Sequence, residues 1–255
     1  FASRQIFGIG RSVAAAVRNV RGGAPWYEAA PESLGNGALM RIAPILLPHL
    51  RTMSSELWAD AILATAVTHN DCSTIGTSVG FVALLADLLT MGRAPHPTWW
   101  IDRFVLLARA VEGERQARPR GGIHADRYVG PLWRYVDEQV REALARDRSV
   151  LDAAEDWYSG AHLFETLPTV LHILARHAHD PEEAIVRAVN DTKDNDTVAA
   201  IVGAAVGALQ GEGALPARWI RDLLGRTGAE DDGRAFELLD GAVERGYPMP
   251  GPSPA

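Results

Sequence analysis

The stretch SSELWADAILATAVTH, residues 54–69, has the apolar spacing of an amphipathic helix. Leu57, Ala61, Ala64 and Val67 recur every three or four residues, which places their side chains on one face of an α-helix. The serines at the start supply hydroxyls that can accept hydrogen bonds from the first free N–H groups of such a helix. The stretch therefore predicts a helix with one buried face.

The same periodicity extends over most of the chain, and it predicts an all-α fold. Nine other segments show it: 4–19, 74–89, 99–111, 128–145, 163–177, 181–189, 194–210, 216–224 and 233–245. No run of β-branched and aromatic residues alternates with polar ones in the manner of a strand. We expect a single compact helical bundle of about ten helices, formed by residues 1–246. The polar, glycine-containing segment 113–128 predicts a long loop, and the proline-rich segment 247–255 predicts an extended tail.

Composition excludes several classes of protein. The chain has 255 residues, of which 47% are hydrophobic and 22% charged, so it is neither largely disordered nor a coiled coil. A net charge of −7 without a basic stripe argues against binding to nucleic-acid duplexes. The longest apolar run, 198–209, is too short to span a bilayer. Cys72 is the only cysteine, which excludes intrachain disulfides and favours a reducing, cytoplasmic location.

The densest polar cluster is NDTKDNDT, residues 190–197, which directly precedes an apolar helix. Asp and Thr at a helix start have a simple explanation, since they cap free N–H groups. The cluster is nevertheless denser than capping requires, and converging carboxylates with a hydroxyl are ligands suited to Mg²⁺ or Mn²⁺. From residue chemistry alone, a metal site and simple capping both remain open. In the helix that follows, Gly203, Gly207 and Gly211 predict the close approach of another backbone.

Two further segments are candidates for binding. In SLGNGALMR, residues 33–41, a Gly-Asn-Gly turn can adopt positive φ and bring backbone N–H groups near a phosphate. Such a turn is more often only a turn. His69 closes the helix of residues 54–69, where a histidine is favoured electrostatically whatever else it does. Neither segment identifies a ligand by itself.

Taken in order, four segments resemble the ADP-ribosylglycohydrolase family. They are FGIGRSVAAAV (7–17), SLGNGALMRIAP (33–44), ATAVTHND (64–71) and AVNDTKDNDTVAAIVGAAVGALQG (188–211). The resemblance implies an all-α enzyme with a dinuclear Mg²⁺ or Mn²⁺ centre. Such an enzyme cleaves the glycosidic bond between ADP-ribose and a protein side chain or small molecule. The residues that match the family's metal ligands are Asp194, Asp196 and Thr197, and those that match its ADP-ribose site are Ser33, Gly35, Asn36, Gly37 and His69.

The chain departs from the family pattern in two places. The resemblance implies an early Gly-Asp-Ala-x-Gly segment and an Asp-Asp-Thr motif, which carry the other metal ligands and an acidic catalytic residue; neither occurs here. We therefore expect these groups to lie before Phe1, which would leave this polypeptide inactive by itself. Thr192 and Lys193 stand where family members have glycines, and we expect the Lys193 ammonium to point away from the cations or to contact a phosphate.

These departures leave alternatives open. The resemblance favours a metal-dependent hydrolase that acts on ADP-ribosylated proteins or small molecules. A non-catalytic ADP-ribose or nucleotide-binding protein of the same fold is the main alternative, and a purely structural helical protein is a third. The identity of the leaving group and the oligomeric state are not determined by the sequence.

Overall fold

A computed structural model describes residues 8–223 and residues 237, 238, 240 and 241 of the chain. Within residues 8–223 the α-helices are α1 (Arg11–Arg21), α2 (Ser55–Ala66), α3 (Cys72–Leu88), α4 (Pro97–Glu112), α5 (Leu132–Ala145), α6 (Val150–Asp156), α7 (Leu163–His177), α8 (Pro181–Asn190), α9 (Asn195–Gln210) and α10 (Ala217–Leu223). Three 3₁₀ segments, Leu39–Arg41, Ala43–His49 and Glu212–Ala214, complete the regular structure. No strand occurs in the described part of the chain. The all-α prediction is confirmed.

Helix boundaries agree with the sequence prediction in most places. Helix α7 covers the predicted residues, whereas α5 begins four residues later than expected, after Pro131. Helix α6 was not predicted, because its seven residues are too few for a periodic pattern; the Ser149 hydroxyl caps it by accepting a hydrogen bond from the Asp152 N–H. Of the predicted helix 233–245, the four described residues are helical. Residues 4–7 and the predicted tail 247–255 lie outside the described residues.

Two helices, α3 and α7, form the centre of the bundle. Helix α3 packs against α2, α4 and α9, and α7 packs against α4, α5, α8 and α9. Every residue of α7 from Leu163 to Ala175 is buried, and α3 is buried over most of its length. A helix that is buried on all of its faces lies inside the core, and the polar side chains it carries are buried with it. These two helices therefore position the loops at their ends.

Close helix packing occurs at glycines other than those predicted. A Cβ added at Gly76 of α3 would lie 3.0 Å from the Ala108 carbonyl oxygen of α4, and one at Gly80 would lie 3.2 Å from the Phe104 ring. By contrast, nothing among the described residues lies within 4 Å of a Cβ built at Gly203 or Gly207. The expected close approach along α9 is therefore wrong for the described residues, because the buried face of α9 is its Val and Ile face.

The predicted long loop is confirmed and extends from Gly113 to Pro131. Two arginines fasten it to buried carboxylates: Arg115 pairs with Asp71, and Arg120 lies 3.2 Å from Glu165. Both carboxylate side chains are fully buried. The loop is thus held against the starts of α3 and α7.

No helix in the described residues combines the length and apolarity needed to cross a membrane.

Candidate functional site

The Gly-Asn-Gly turn lies against the start of α7. The Leu163 N–H donates to the Leu34 carbonyl at 2.8 Å, and the Asn36 N–H donates to the Ala161 carbonyl at 3.3 Å. Gly35 and His162 face each other as an isolated antiparallel bridge. Main-chain hydrogen bonds therefore fix the turn before any ligand is considered.

Asn36 joins this turn to the acidic cluster. Its side chain is only 5% exposed, and its Nδ2 donates to Thr166 Oγ1 at 2.9 Å and to Asp194 Oδ2 at 2.5 Å. Thr166 in turn donates to the Gly160 carbonyl at 2.9 Å. Two segments that the sequence analysis singled out separately are in direct contact, through a threonine that it did not identify.

Asp194 and Asp196 come together at the entrance of α9. Asp194 is the N-cap residue by position, yet its side chain accepts no hydrogen bond from the helix N–H groups. Burial raises the pKa of Asp194, and the neighbouring Asp196 carboxylate raises it further, while the Asn36 amide opposes the rise. Side-chain capping, the simple alternative for Asp194, is therefore not what this carboxylate does.

The carboxylate pair fits a divalent cation only in part. Two adjacent carboxylates are the hard oxygen donors that Mg²⁺ and Mn²⁺ prefer. Among the described residues, however, no three His, Cys, Asp or Glu side chains form a group that could hold a metal ion. Thr197 is buried, and its hydroxyl donates to the Met40 sulfur at 3.6 Å. The chain thus contributes Asp194 and Asp196 as adjacent oxygen donors, and the Thr197 side chain also hydrogen-bonds to Asp194, which opposes the rise in the pKa of that carboxyl.

The His69 ring fills the space against both glycines of the turn. A Cβ at Gly35 would lie 3.3 Å from His69 Nε2, and one at Gly37 would lie 3.3 Å from His69 Cε1. Neither glycine has positive φ, so the turn does not use the left-handed backbone that its glycines would allow. Glycine is needed at both positions because a histidine ring packs against them, which the local sequence could not show.

His69 is held as a neutral ring. It is 3% exposed, and its Nδ1 lies 2.8 Å from the Thr68 hydroxyl. Burial lowers the pKa of His69 to about 4, and the nearby Arg41 guanidinium contributes to the decrease. Arg41 itself donates to Thr68 Oγ1 at 2.7 Å. A neutral imidazole at pH 7 gives this side of the site a surface without a formal charge.

Ser33 supports the turn from its other end. Its hydroxyl accepts from the Gly35 N–H at 3.2 Å and lies 2.7 Å from the Ser12 hydroxyl, while its carbonyl accepts from Thr74 at 2.6 Å. The N–H groups of Gly35 and Asn36 are thus both engaged within the protein. The use of backbone amides of this turn as phosphate donors stays a prediction.

The turn formed by Tyr158 and Ser159 contacts the backbone of the acidic segment. Tyr158 and Ser159 have φ of 73° and 41°, in the left-handed region that is uncommon for residues other than glycine. The Ser159 carbonyl accepts from the Asp194 N–H at 3.0 Å, and the Ser159 hydroxyl accepts from the Lys193 N–H at 3.2 Å. Backbone strain concentrates where the surrounding structure requires one geometry. No pattern in the sequence had indicated the role of this turn.

Comparison with known proteins identifies the family of the chain. The model of the ADP-ribosylglycohydrolase family matches residues 1–247. The chain belongs to the ADP-ribosylglycohydrolase family. Membership rests on nearly the whole chain, including the turn of residues 33–37 and the acidic cluster.

Two of the similar proteins are named as hydrolases of ADP-ribose linkages. The chain is 28% identical to the ADP-ribosylarginine hydrolase Tri1 of Pseudomonas putida, over 74% of this chain and 42% of that protein. It is 25% identical to the ADP-ribosylhydrolase ARH3 of Xenopus tropicalis, over 81% of this chain and 61% of the relative. An uncharacterized protein of Archaeoglobus fulgidus is 29% identical, over 88% of this chain and 64% of its own length. The chain therefore spans less than two thirds of these relatives.

A solved structure supports the fold. The chain matches an "ADP-ribosylglycohydrolase-related protein complex" with a TM-score of 0.60 and 26% sequence identity. The match covers 92% of this chain and 69% of that one. The family resemblance proposed from the four motifs is confirmed.

Proposed function

We propose that this chain takes part in hydrolysing the glycosidic bond that joins ADP-ribose to a protein side chain or a small molecule, with Mg²⁺ or Mn²⁺ bound at Asp194 and Asp196. The observation that carries the proposal is the contact between Asn36 and Asp194. It places the turn that resembles an ADP-ribose loop directly beside the carboxylates that resemble metal ligands. The names of the relatives, which are hydrolases of ADP-ribose linkages, support the same reaction class.

The residues of the chain divide the work of binding between them. Asn36 donates to the Asp194 carboxylate and so fixes its orientation relative to the turn. Gly35 and Gly37 pack against the neutral His69 ring, which holds the turn beside Asp194. We assign to this turn the contact with the nucleotide part of ADP-ribose.

A bound divalent cation would supply Lewis acidity, orienting ribose hydroxyls and lowering the pKa of a water molecule. Asp194 and Asp196 would hold it with carboxylate oxygens. Burial raises the pKa of Asp194 most, and the adjacent Asp196 carboxylate raises it further, because two like charges at one place repel each other. A cation between them would remove that repulsion.

Binding of ADP-ribose without hydrolysis is the second candidate function. It is favoured by the absence, within the described residues, of any group of three His, Cys, Asp or Glu side chains suited to a metal. In that case the turn and His69 would hold ligand while no bond is cleaved. The two candidates differ in one measurable quantity, the release of ADP-ribose.

The test uses the full natural protein that contains this chain, with peptides ADP-ribosylated on arginine or on serine. Released ADP-ribose is measured by chromatography with Mn²⁺, with Mg²⁺ and after chelation by EDTA. We expect metal-dependent release that falls by about 100-fold or more in Asp194→Asn and in Asp196→Asn. Asp126→Asn, which alters an exposed loop carboxylate, is the matched control and should keep full release.

Calorimetry with ADP-ribose separates the alternatives. Hydrolysis that survives both substitutions would contradict the proposed role of these carboxylates. ADP-ribose binding without release from either peptide would favour the non-catalytic candidate.

A further inference from the structure

Tyr158 occupies a backbone position that would suit glycine. Its φ of 73° lies in the left-handed region, which glycine adopts readily and other residues adopt seldom. A bulky aromatic residue in this region is a true outlier. Because the backbone does not favour tyrosine here, its side chain needs a separate explanation.

Two glycines leave room for the Tyr158 ring. A Cβ at Gly121 would lie 2.8 Å from the ring atom Cγ, and one at Gly160 would lie 3.1 Å from Cδ1 and Cε1. Gly121 belongs to the 113–131 loop, and Gly160 lies in the strained turn itself. The ring is therefore seated closely between two backbone segments, while 43% of the residue remains exposed.

The ring holds the ammonium group of Lys193. The Nζ atom lies 3.6 Å from the ring centroid, within the range of a cation–π contact. Lys193 directly precedes Asp194, and among the described residues no salt bridge joins its Nζ to Asp194 or Asp196. A lysine side chain has a flexible four-carbon stem. Without the ring, that stem would let the ammonium turn towards the carboxylates beside it.

We propose that Tyr158 is a positioning residue whose ring keeps the Lys193 ammonium off Asp194 and Asp196, so that the carboxylate pair retains its negative charge for a divalent cation. The inference rests on the proposed cation binding and deepens it. An ammonium bound between the two carboxylates would compete with the cation for the same oxygens. In the structure the Lys193 ammonium contacts the uncharged Tyr158 ring instead.

The experiment measures Mn²⁺ affinity of the 255-residue chain by calorimetry, without substrate. Tyr158→Leu keeps apolar bulk but removes the aromatic face, and Tyr158→Phe keeps the face. We expect Tyr158→Leu to bind Mn²⁺ about three- to tenfold more weakly, because a close positive charge opposes the cation. Tyr158→Phe should bind like the unaltered chain. Circular dichroism checks that each variant is folded.

The decisive variant is the double substitution Tyr158→Leu with Lys193→Met. It should restore Mn²⁺ affinity to that of Lys193→Met alone, since no ammonium remains to compete. A merely structural role for Tyr158 would leave the double variant as weak as Tyr158→Leu, and that result would overturn the inference. Unchanged affinity in Tyr158→Leu would overturn it as well, while leaving the proposed cation binding intact. Absence of Mn²⁺ binding in the unaltered chain would overturn both.

Discussion

The side-chain amide of Asn36 bridges Thr166 and Asp194, which lie 130 and 158 residues further along the chain. One NH₂ group thereby connects the turn of residues 33–37, the first part of α7 and the entrance of α9. Because α3 and α7 form the buried centre of the bundle, their ends bring these segments to one place. The two hydrogen bonds of Asn36 therefore join three separate segments of the candidate site.

Replacing Asn36 should therefore cost stability. In Asn36→Ala, Asp194 loses a hydrogen-bond donor in a partly buried place, and Thr166 loses the donor to its hydroxyl oxygen. We expect the free energy of unfolding to fall by about 1–3 kcal/mol, measured by urea denaturation at pH 7.5. Asn70→Ala, at an exposed asparagine beside His69, is the control and should change it by less than about 0.5 kcal/mol. Equal effects in the two variants would contradict the importance of the bridge.

A side chain at Gly35 should disturb the turn through His69. In Gly35→Val, the new Cβ stands 3.3 Å from the ring and from Ser33 Oγ, so we expect a loss of about 1–3 kcal/mol in unfolding free energy and weaker ADP-ribose binding by calorimetry. If the ring is the obstacle, the same substitution in a His69→Ala background should cost clearly less. An undiminished cost there would place the obstacle elsewhere.

Replacing a glycine of α9 by alanine should stabilise the fold, in contrast to the substitution at Gly35. Nothing in the described part of the chain meets a Cβ at Gly203, so Ala there adds helix propensity without a clash. We expect Gly203→Ala to raise the midpoint of thermal unfolding, corresponding to about 0.5–1 kcal/mol. Gly76→Ala, whose Cβ would stand 3.0 Å from the Ala108 carbonyl, should lower it. A destabilised Gly203→Ala would mean that another segment covers this face.

We expect the Glu112 carboxylate to stabilise the fold, because it accepts hydrogen bonds from the first N–H groups of α5. It is buried at the end of α4, where Oε1 accepts from the Leu132 N–H at 2.6 Å and from the Ser73 hydroxyl at 2.9 Å, and Oε2 accepts from the Trp133 N–H at 3.0 Å. Burial raises the pKa of Glu112, although these donors oppose the rise.

In Glu112→Gln, an NH₂ group replaces an oxygen that accepts a hydrogen bond from a backbone N–H. Two hydrogen-bond donors would then face each other. We expect Glu112→Gln to lose about 2–4 kcal/mol of unfolding free energy in urea, whereas Glu114→Gln, at an exposed surface pair, should lose less than about 1 kcal/mol. Similar losses in both would argue against a capping role for Glu112.

Acid should destabilise the fold through His172. Burial lowers the pKa of this histidine to about 4 from the ordinary 6.5, and its Nε2 lies 3.0 Å from the Arg148 carbonyl. As pH falls from about 6.5 to 4, the unfolded chain binds a proton at this residue and the native chain does not. The free energy of unfolding therefore decreases as pH falls through that window, by up to about 3 kcal/mol for this histidine.

The variant His172→Gln isolates this contribution. Carboxyl groups with raised pKa, such as Glu112 and Glu165, stabilise the fold as pH falls. The prediction therefore concerns the difference in unfolding free energy between His172→Gln and the unaltered chain, not the pH dependence of either one. Urea unfolding between pH 7.5 and 4.5 should show a smaller acid loss in His172→Gln than in the unaltered chain. Parallel curves would contradict the prediction.

Sequence patterns were most informative for the long helices. The periodicity of residues 163–177 predicted α7 with both of its ends, because its apolar residues and flanking polar residues are local signals. Helix α6 was missed, since a seven-residue helix is stabilised by its packing on α7 and by one serine cap. The segment 113–128 was recognised as a loop from its glycines and proline, but its ion pairs to Asp71 and Glu165 join distant parts of the chain.

The sequence by itself determined the helical class, the family and the two motifs on which the candidate site depends, because residue type and spacing are sufficient for these. Only the tertiary structure decided how the motifs are used. Gly35 and Gly37 are explained by the His69 ring that packs against them, and the Lys193 ammonium lies on a tyrosine rather than on the carboxylates beside it. Each of these outcomes depends on a contact between residues far apart in the chain. The spacing of residues along the chain does not predict such contacts.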